Sequence, residues 1–266
     1  MNTIKAIVKI SFDAQEIDFD PLIVIAGYER NGKSTLALEM YQEFYRLKGW
    51  ELNIKYYTTD LENFIKAIDE SPVGGIVVLD EAGDILTSAN HWDEFNKKIR
   101  EAYTIIGGKR LFTILILPDY FVLETYFRKW RTKAVLFVYR RGKVALWVGK
   151  QKLAMLNKYG AETKNPFAVN PSGYDTFSNI EDCDFLRQYK KMKTKRINDK
   201  LKELRDTLEM GDTVWLKKAT KLLQISYPTA LKWVIDGKLP AIKTSAGRYK
   251  VKMEDIDRLK EVANDK

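Results

Sequence analysis

The stretch that most constrains this chain is Leu22 to Thr35, LIVIAGYERNGKST. Its first residues are continuously apolar, as a strand buried on both faces requires. They run directly into Gly27-x-x-x-x-Gly32-Lys33-Ser34, the pattern of a phosphate-binding loop. The spacing has a chemical reason. Phosphates are held by backbone N–H groups, so the chain must curl tightly and present amides at the start of a helix, where the dipole also favours anions. Gly27 and Gly32 permit the curl, and Tyr28, Glu29, Arg30 and Asn31 complete the loop between them. Lys33 supplies a charge for the outer phosphates, Ser34 offers a hydroxyl to Mg²⁺, and Thr35 ends the binding segment. The alternative is a chance match, which average residue frequencies give in roughly one chain in a hundred of this length. The strand before the pattern and the helix after it argue against chance.

The 266 residues, 45% of them hydrophobic, suffice for one substantial core and a second small one. Lys and Arg number 45 against 36 acidic residues, a formal net charge of +9, which favours a polyanionic partner such as nucleic acid, although many basic chains simply solvate their lysines. One cysteine, Cys183, excludes an internal disulfide framework, and with the single His91 it cannot build a Cys/His metal site. The N-terminus lacks the apolar core of a signal peptide, and Leu111 to Leu117 is too short to span a bilayer, so the expected location is the cytoplasm.

Ile4 to Phe12 alternates apolar and polar positions and predicts an edge strand, with Ile17 to Phe19 pairing back as a hairpin. Leu36, Met40, Phe44 and Leu47 recur at helical spacing, predicting a helix over Lys33 to Lys48 that stops at Gly49. Leu52 to Thr58 reads as a strand. Asp60 caps a helix that turns Phe64, Ile65 and Ile68 inward and closes at Ser71-Pro72. Gly75-Ile-Val-Val-Leu-Asp80-Glu81 follows as a buried strand that delivers two carboxylates at its C-terminal end. Phe95, Ile99, Tyr103 and Ile106 form a helical stripe ended by Gly107-Gly108; Leu111 to Leu117 is a further strand, and Lys133 to Tyr139 with Val144 to Val148 form a hairpin that closes the sheet. Alternating strands and helices predict a parallel, doubly wound sheet.

Beside a phosphate loop, Asp80 is expected to hold the Mg²⁺ shell and Glu81 to polarise the attacking water, against the bland reading that an acidic pair merely ends a strand. With the extra strand between the loop and this pair, Leu22 to Val148 resembles the P-loop class with a catalytic glutamate, which includes RecA-like and AAA-type motors. The run VVLDEAGD, a helix, a GGKR turn and a hydrophobic strand look like the HerA/FtsK group of DNA-pumping ATPases and their virus-borne Zot-type and packaging relatives. The resemblance implies an α/β fold with a RecA-like parallel sheet, helices on both faces, ATP and Mg²⁺ as cofactors, and a homo-oligomer, hexamer or dimer. It assigns γ-phosphate sensing at the strand tip to Asp119, where that group usually has Gln. Of Arg100, Arg110, Arg128 and Arg131, any of which can equally be a solvated arginine, Arg110 or Arg128 is the candidate to reach a neighbouring subunit's γ-phosphate.

After the ATPase domain (1–150), residues 151–180 read as an irregular linker, held to that domain by Phe167, Tyr174 and Phe177. A basic helix over 181–209 carries Ile197, Leu201, Leu204 and Leu208 in a heptad-like seam; it reads as a connector, a short coiled coil or a phosphate-contacting helix. Residues 211–266 predict two short helices joined by a tight turn, a small β-hairpin and a closing helix. VWLKKATKLLQISYPTALKWVIDGKLPAIKTSAGRYKVKMEDIDRL resembles the excisionase/MerR-type winged helix. That resemblance implies double-stranded DNA as partner, with Ser226, Tyr227, Thr229 and Lys232 facing the groove and Lys243, Thr244, Arg248 and Tyr249 gripping from the wing; a winged helix used for protein contacts is the alternative.

Three functions remain open at this level. One is a ring-forming motor on duplex DNA. Another is an ATP-switched DNA-binding regulator or replication initiator. The third is a regulatory NTP-binding protein with a protein partner.

Overall fold

The computed structural model describes residues 3–80, 100–103, 105–178, 183–209, 213–243 and 248–264. The chain divides into two compact units, Met1–Lys193 and Thr194–Lys266.

In the first unit the elements are helix α1 (Thr3–Glu16), strand β1 (Leu22–Gly27), α2 (Lys33–Lys48), β2 (Tyr57–Thr58), α3 (Leu61–Glu70), β3 (Ile76–Leu79), α4 (described over 100–103 and 105–109), β4 (Phe112–Ile116), β5 (Thr132–Arg140) and β6 (Lys143–Val148). Helices α5 (Lys150–Met155) and α6 (Ala161–Thr163) and strand β7 (Gly173–Thr176) follow, and α7 (Asp184–Glu209) begins in this unit and ends in the second. The strands form one sheet in the order β2-β3-β4-β1-β5-β6-β7. The first five are parallel, and β6 and β7 join antiparallel. Central β1 is buried along its whole length. Alternation along it serves two cores: Leu22, Val24 and Ala26 pack toward the side holding Phe64 and Ile68 of α3, while Ile23 and Ile25 pack toward α1 and α2.

The N-terminal segment corrects the expectation of an edge hairpin. Ile4, Ala6, Val8, Ile10 and Phe12 satisfy a period of two, but Ile4, Ile7, Val8, Ser11 and Gln15 satisfy the helical period, and this second set is buried. Ile10 is 64% exposed. The helix wins because its face packs on α2, with Phe12 edge-on to Phe44 at 6.3 Å. Its last turn also ties to the sheet, where the Gln15 amide donates to the carbonyls of Gly75 (2.8 Å) and Arg110 (2.6 Å).

Smaller departures have local causes. The expected strand from Leu52 contracts to β2, because Asn53 caps a 3-10 turn over Ile54–Tyr56. Asp60 does cap α3, accepting from Asn63 N–H at 2.8 Å, but Ile65 lies on its exposed side. Helix α4 runs through Gly107-Gly108 rather than stopping there. It ends with Arg110 in the left-handed region (φ 54), where Leu111 N–H returns to Ile106 and Arg110 N–H to Gly107, a Schellman close made without glycine. Phe95 and Ile99 of the predicted stripe lie outside the described residues; Tyr103 and Ile106 are buried.

The β5–β6 hairpin does not close the sheet, since β7 adds beyond it. Strand β7 comes from 151–180, the segment expected to be irregular. Trp147, fully buried, donates its indole N–H to Val169 O at 2.9 Å, and Phe167 packs edge-on to Phe137 and Trp147. Tyr174 meets Tyr139, and Phe177 is buried. The three aromatic side chains thus hold this segment to the sheet. Along α7, Ile197 and Leu201 are about half exposed, and the side chains of Leu204 and Leu208 lie outside the described residues.

The second unit comprises β8 (Thr213–Trp215), α8 (Leu216–Leu223), α9 (Tyr227–Ile235), β9 (Ala241–Lys243), β10 (Tyr249–Lys252) and α10 (Met253–Asn264), with a three-stranded sheet ordered β8-β10-β9. Leu216, Ala219, Ala230, Leu239, Val251 and Ile256 form its core. No helix among the described residues is long and apolar enough to cross a membrane.

Helical and extended readings of the N-terminus make opposite predictions. Ile7→Ala is expected to destabilise the first unit by about 2 kcal/mol or more, while Ile10→Ala changes it by less than about 0.5 kcal/mol. Urea unfolding of the two variants measures this; the reverse ranking would restore the strand.

Candidate functional site

At the C-terminal end of β1 the chain turns through the left-handed region three times: Gly27 (φ 140), Arg30 (φ 60) and Gly32 (φ 98). Gly27 is required sterically, because a Cβ there would lie 2.3 Å from Val138 O of the neighbouring β5. Gly32 occupies the cap position of α2 with no side-chain acceptor, so the first-turn amides face the loop without a capping side chain. The Lys33 ammonium folds back and donates to Gly27 O (2.7 Å) and Tyr28 O (3.0 Å). That geometry holds the loop curled around a positive charge, which together with the helix N-terminus suits an anion.

Asp80 follows β3, two strands from β1 with β4 between them, and is completely buried. Ser34 donates its hydroxyl to Asp80 Oδ1 at 3.1 Å, joining the loop to the carboxylate. Tyr57, from β2, donates to Oδ2 at 3.2 Å, and Tyr189, from α7, donates to the same oxygen at 2.9 Å. Beneath them Tyr41 donates to Asn53 O at 2.7 Å. Burial pushes the Tyr41 phenol far above its ordinary pKa, so it remains a donor at any physiological pH. Glu81 lies outside the described residues.

On the other side of the loop, Arg30, Asn31, Gly32 and Thr35 face Arg141 and Phe177 across a cleft of about 400 Å³. Phe177 comes from the end of β7, its N–H bonded to Gly142 O at 3.0 Å, and its ring would lie 3.2 Å from a Cβ at Gly32. Sequence reasoning missed Arg141, Phe177, Tyr57 and Tyr189 as site residues. Arg141 was legible only as part of a basic turn, and the three aromatics reach the site from far along the chain, with no local signature.

The remaining candidates are engaged locally. Asp119 sits just past the C-terminal tip of β4, but its carboxylate accepts from Phe121 N–H at 2.9 Å and caps a 3-10 turn. Arg128 donates to Leu123 O (2.8 Å) and Thr125 Oγ1 (3.1 Å). Arg110 precedes β4, at the end of the sheet opposite the loop, and pairs with Asp18 at 3.1 Å. Arg100 pairs with Glu124, and Arg131 pairs with Asp20.

In the second unit, α8 ends at Gln224, which takes the left-handed conformation (φ 52), and Ser226 starts α9 three residues after Leu223. Two short helices joined by this tight turn, backed by a three-stranded sheet, decide the matter. Residues 216–261 match a helix-turn-helix domain. No curated protein matches the chain. In this helix-turn-helix, Tyr227 and Lys232 are exposed on α9. Ser226 and Thr229 bond each other through their hydroxyls at 2.7 Å, and Ser226 Oγ also accepts from Thr229 N–H at 3.3 Å, so both serve the cap. Lys243 ends β9 opposite Tyr249, and Thr244 lies outside the described residues. Tyr227, Arg248 and Tyr249 converge on a cleft of about 690 Å³. Its floor brings in residues the sequence reading passed over: Trp215, with the Lys250 ammonium 5.0 Å from its ring, and Lys217, Lys218 and Lys221 of α8. The signal was present as lysines on the polar face of a helix whose other face carries Leu216 and Ala219.

Ser226→Ala removes the cap of α9 and is expected to cost the helix-turn-helix about 1 kcal/mol, with Ser226→Asp retaining most of it. Thermal unfolding of the 194–266 transition measures the difference; equal loss in both variants would deny the cap its role.

Proposed function

We propose that this chain is an ATP-hydrolysing, DNA-binding protein. The observation that carries the reading is the hydrogen bond between Ser34, at the N-terminus of α2, and the buried Asp80 at the end of β3. A glycine-curled loop, a lysine folded over it and a carboxylate aimed at the adjacent hydroxyl are what a nucleotide triphosphate and its cation need together. The order β3-β4-β1, with a strand inserted between loop and carboxylate, supports the catalytic-glutamate class of P-loop ATPases.

The residues fit magnesium. Mg²⁺ takes one or two protein oxygens and completes its shell from phosphates and water, and Ser34 Oγ and Asp80 Oδ1 stand 3.1 Å apart beside the loop. When bound, the cation supplies neutralisation of phosphate charge. In this reading the loop amides and Lys33 orient the phosphates, Arg141 and Phe177 close the site against water near Thr35, and Glu81, next in sequence to Asp80, aligns the attacking water. DNA binding rests on the helix-turn-helix match and on the concentration of Lys217, Lys218, Lys221 and Arg248 around exposed Tyr227.

Two modes of coupling follow. Translocation along duplex DNA, as in packaging or segregation, needs an arginine delivered in trans. An ATP-switched regulator does not.

Lys33→Ala is expected to abolish nucleotide binding, and Glu81→Gln to retain binding while lowering turnover by about 100-fold or more. Equilibrium binding of a fluorescent ATP analogue and phosphate release measure the two, and intact turnover in Glu81→Gln would exclude its assigned role. Acceleration of turnover by any duplex, with assembly into a ring, would identify a motor; slow turnover with ATP tightening DNA binding would identify a switch.

Lys232→Ala and Arg248→Ala are each expected to weaken duplex binding. A residue that contacts phosphate lowers the slope of log affinity against log salt by about one, whereas one that reads bases relaxes sequence preference. Salt-titrated anisotropy on several duplexes separates these outcomes, and wild-type affinity in both variants would remove this face from the interface.

A further inference from the structure

Helix α7 reaches the candidate nucleotide site directly. Its first turns dock on the first unit through Phe185, stacked on Tyr41 at 5.6 Å, and Tyr189, edge-on to Tyr57 at 5.4 Å. Both side chains are buried. The Tyr189 hydroxyl donates to Asp80 Oδ2 at 2.9 Å and accepts from the Lys193 ammonium at 3.4 Å. A polar path therefore runs Ser34, Asp80, Tyr189, Lys193, from the phosphate loop into the lysine-rich part of α7. The helix continues unbroken to Glu209, and the helix-turn-helix follows in the chain.

We infer that Tyr189 is a positioning residue for Asp80 through which the first turns of α7 respond to the occupancy of the nucleotide site. The inference rests on the nucleotide reading above. Its physical basis is the buried charge. Asp80 has no solvent to stabilise its carboxylate, and the hydroxyls of Ser34, Tyr57 and Tyr189 converge on it. Such hydrogen bonds draw their strength from the full negative charge. A divalent cation beside Ser34 offsets that charge, so the bond holding Tyr189 weakens as the site fills. Tyr57 shares the same oxygen but belongs to β2 within the sheet, whereas Tyr189 belongs to a helix docked from outside by aromatic contacts. The element released is α7. By linkage, whatever fixes or releases α7 must alter the affinity for cation and nucleotide in return.

The test uses the full chain and hydrogen exchange of the amides over 184–193, with and without Mg²⁺-ATP, alongside the affinity for a fluorescent ATP analogue. In wild type, exchange there is expected to rise about tenfold on adding Mg²⁺-ATP. Tyr189→Phe, which removes the contact that cation binding weakens, is expected to tighten binding of the ATP analogue with Mg²⁺ and to lose the response, with exchange equally fast in both states. Tyr57→Phe is expected to shift nucleotide affinity yet keep the α7 response, which separates a general loss of packing from the loss of this contact. An unchanged response in Tyr189→Phe, or none in wild type that binds nucleotide, overturns the inference alone. Failure of wild type to bind nucleotide overturns the proposed function, and the inference with it.

Discussion

A carboxylate with no access to water is the constraint on which the first unit depends. Burying an unpaired ion costs several kcal/mol even after relaxation, so Asp80 is tenable only where donors meet it. Its partners arrive from the start of α2, from β2 and from α7. Each of these elements has a second reason to be where it is: the Gly27 backbone pressed against Val138, the β2–β3 ladder, and the stack of Phe185 on Tyr41. Geometry and electrostatics thus specify the same arrangement, as expected of a sequence whose local choices agree with its fold.

The helix-turn-helix is organised on another principle. Its core is small, and its definition comes from short-range devices: a left-handed residue at Gln224, a capping serine, and a hairpin whose strands are joined within a few residues. The polar surface left over is lysine-rich and carries two exposed aromatic rings, Trp215 and Tyr227. The lysines of this face are exposed, whereas the charge of Asp80 in the first unit is wholly buried.

This difference explains what could be read in advance. The loop, the cap at Asp60, and the buried runs of β1 and β3 were legible, because each is enforced by residues adjacent in sequence; the capping role of Ser226 was not read. The helix-turn-helix was legible for the same reason, down to the paired strands of its hairpin. Helix α1 was misread because Ile4, Val8 and Phe12 fit both periodicities, and only packing on α2 and the Gln15 bonds decide between them. Residues 151–180 looked irregular because their order comes from distant partners, such as Trp147 for Val169 and Phe137 for Phe167. Tyr189 gave no signal for the same reason: nothing within its own helix marks it as a partner of Asp80. Glu81 and Thr244 lie outside the described residues, so their assignments stand on sequence position.

The central place of β1 also sets when the first unit becomes whole. Leu22 pairs with Thr113 on one side and Thr132 on the other, so both neighbours are made long after it. Long-range parallel pairing is slow to form and leaves apolar strands uncovered in the meantime. During synthesis the glycine loop is therefore made well before the strands that shape it, while the helix-turn-helix is built from near neighbours and needs no such wait.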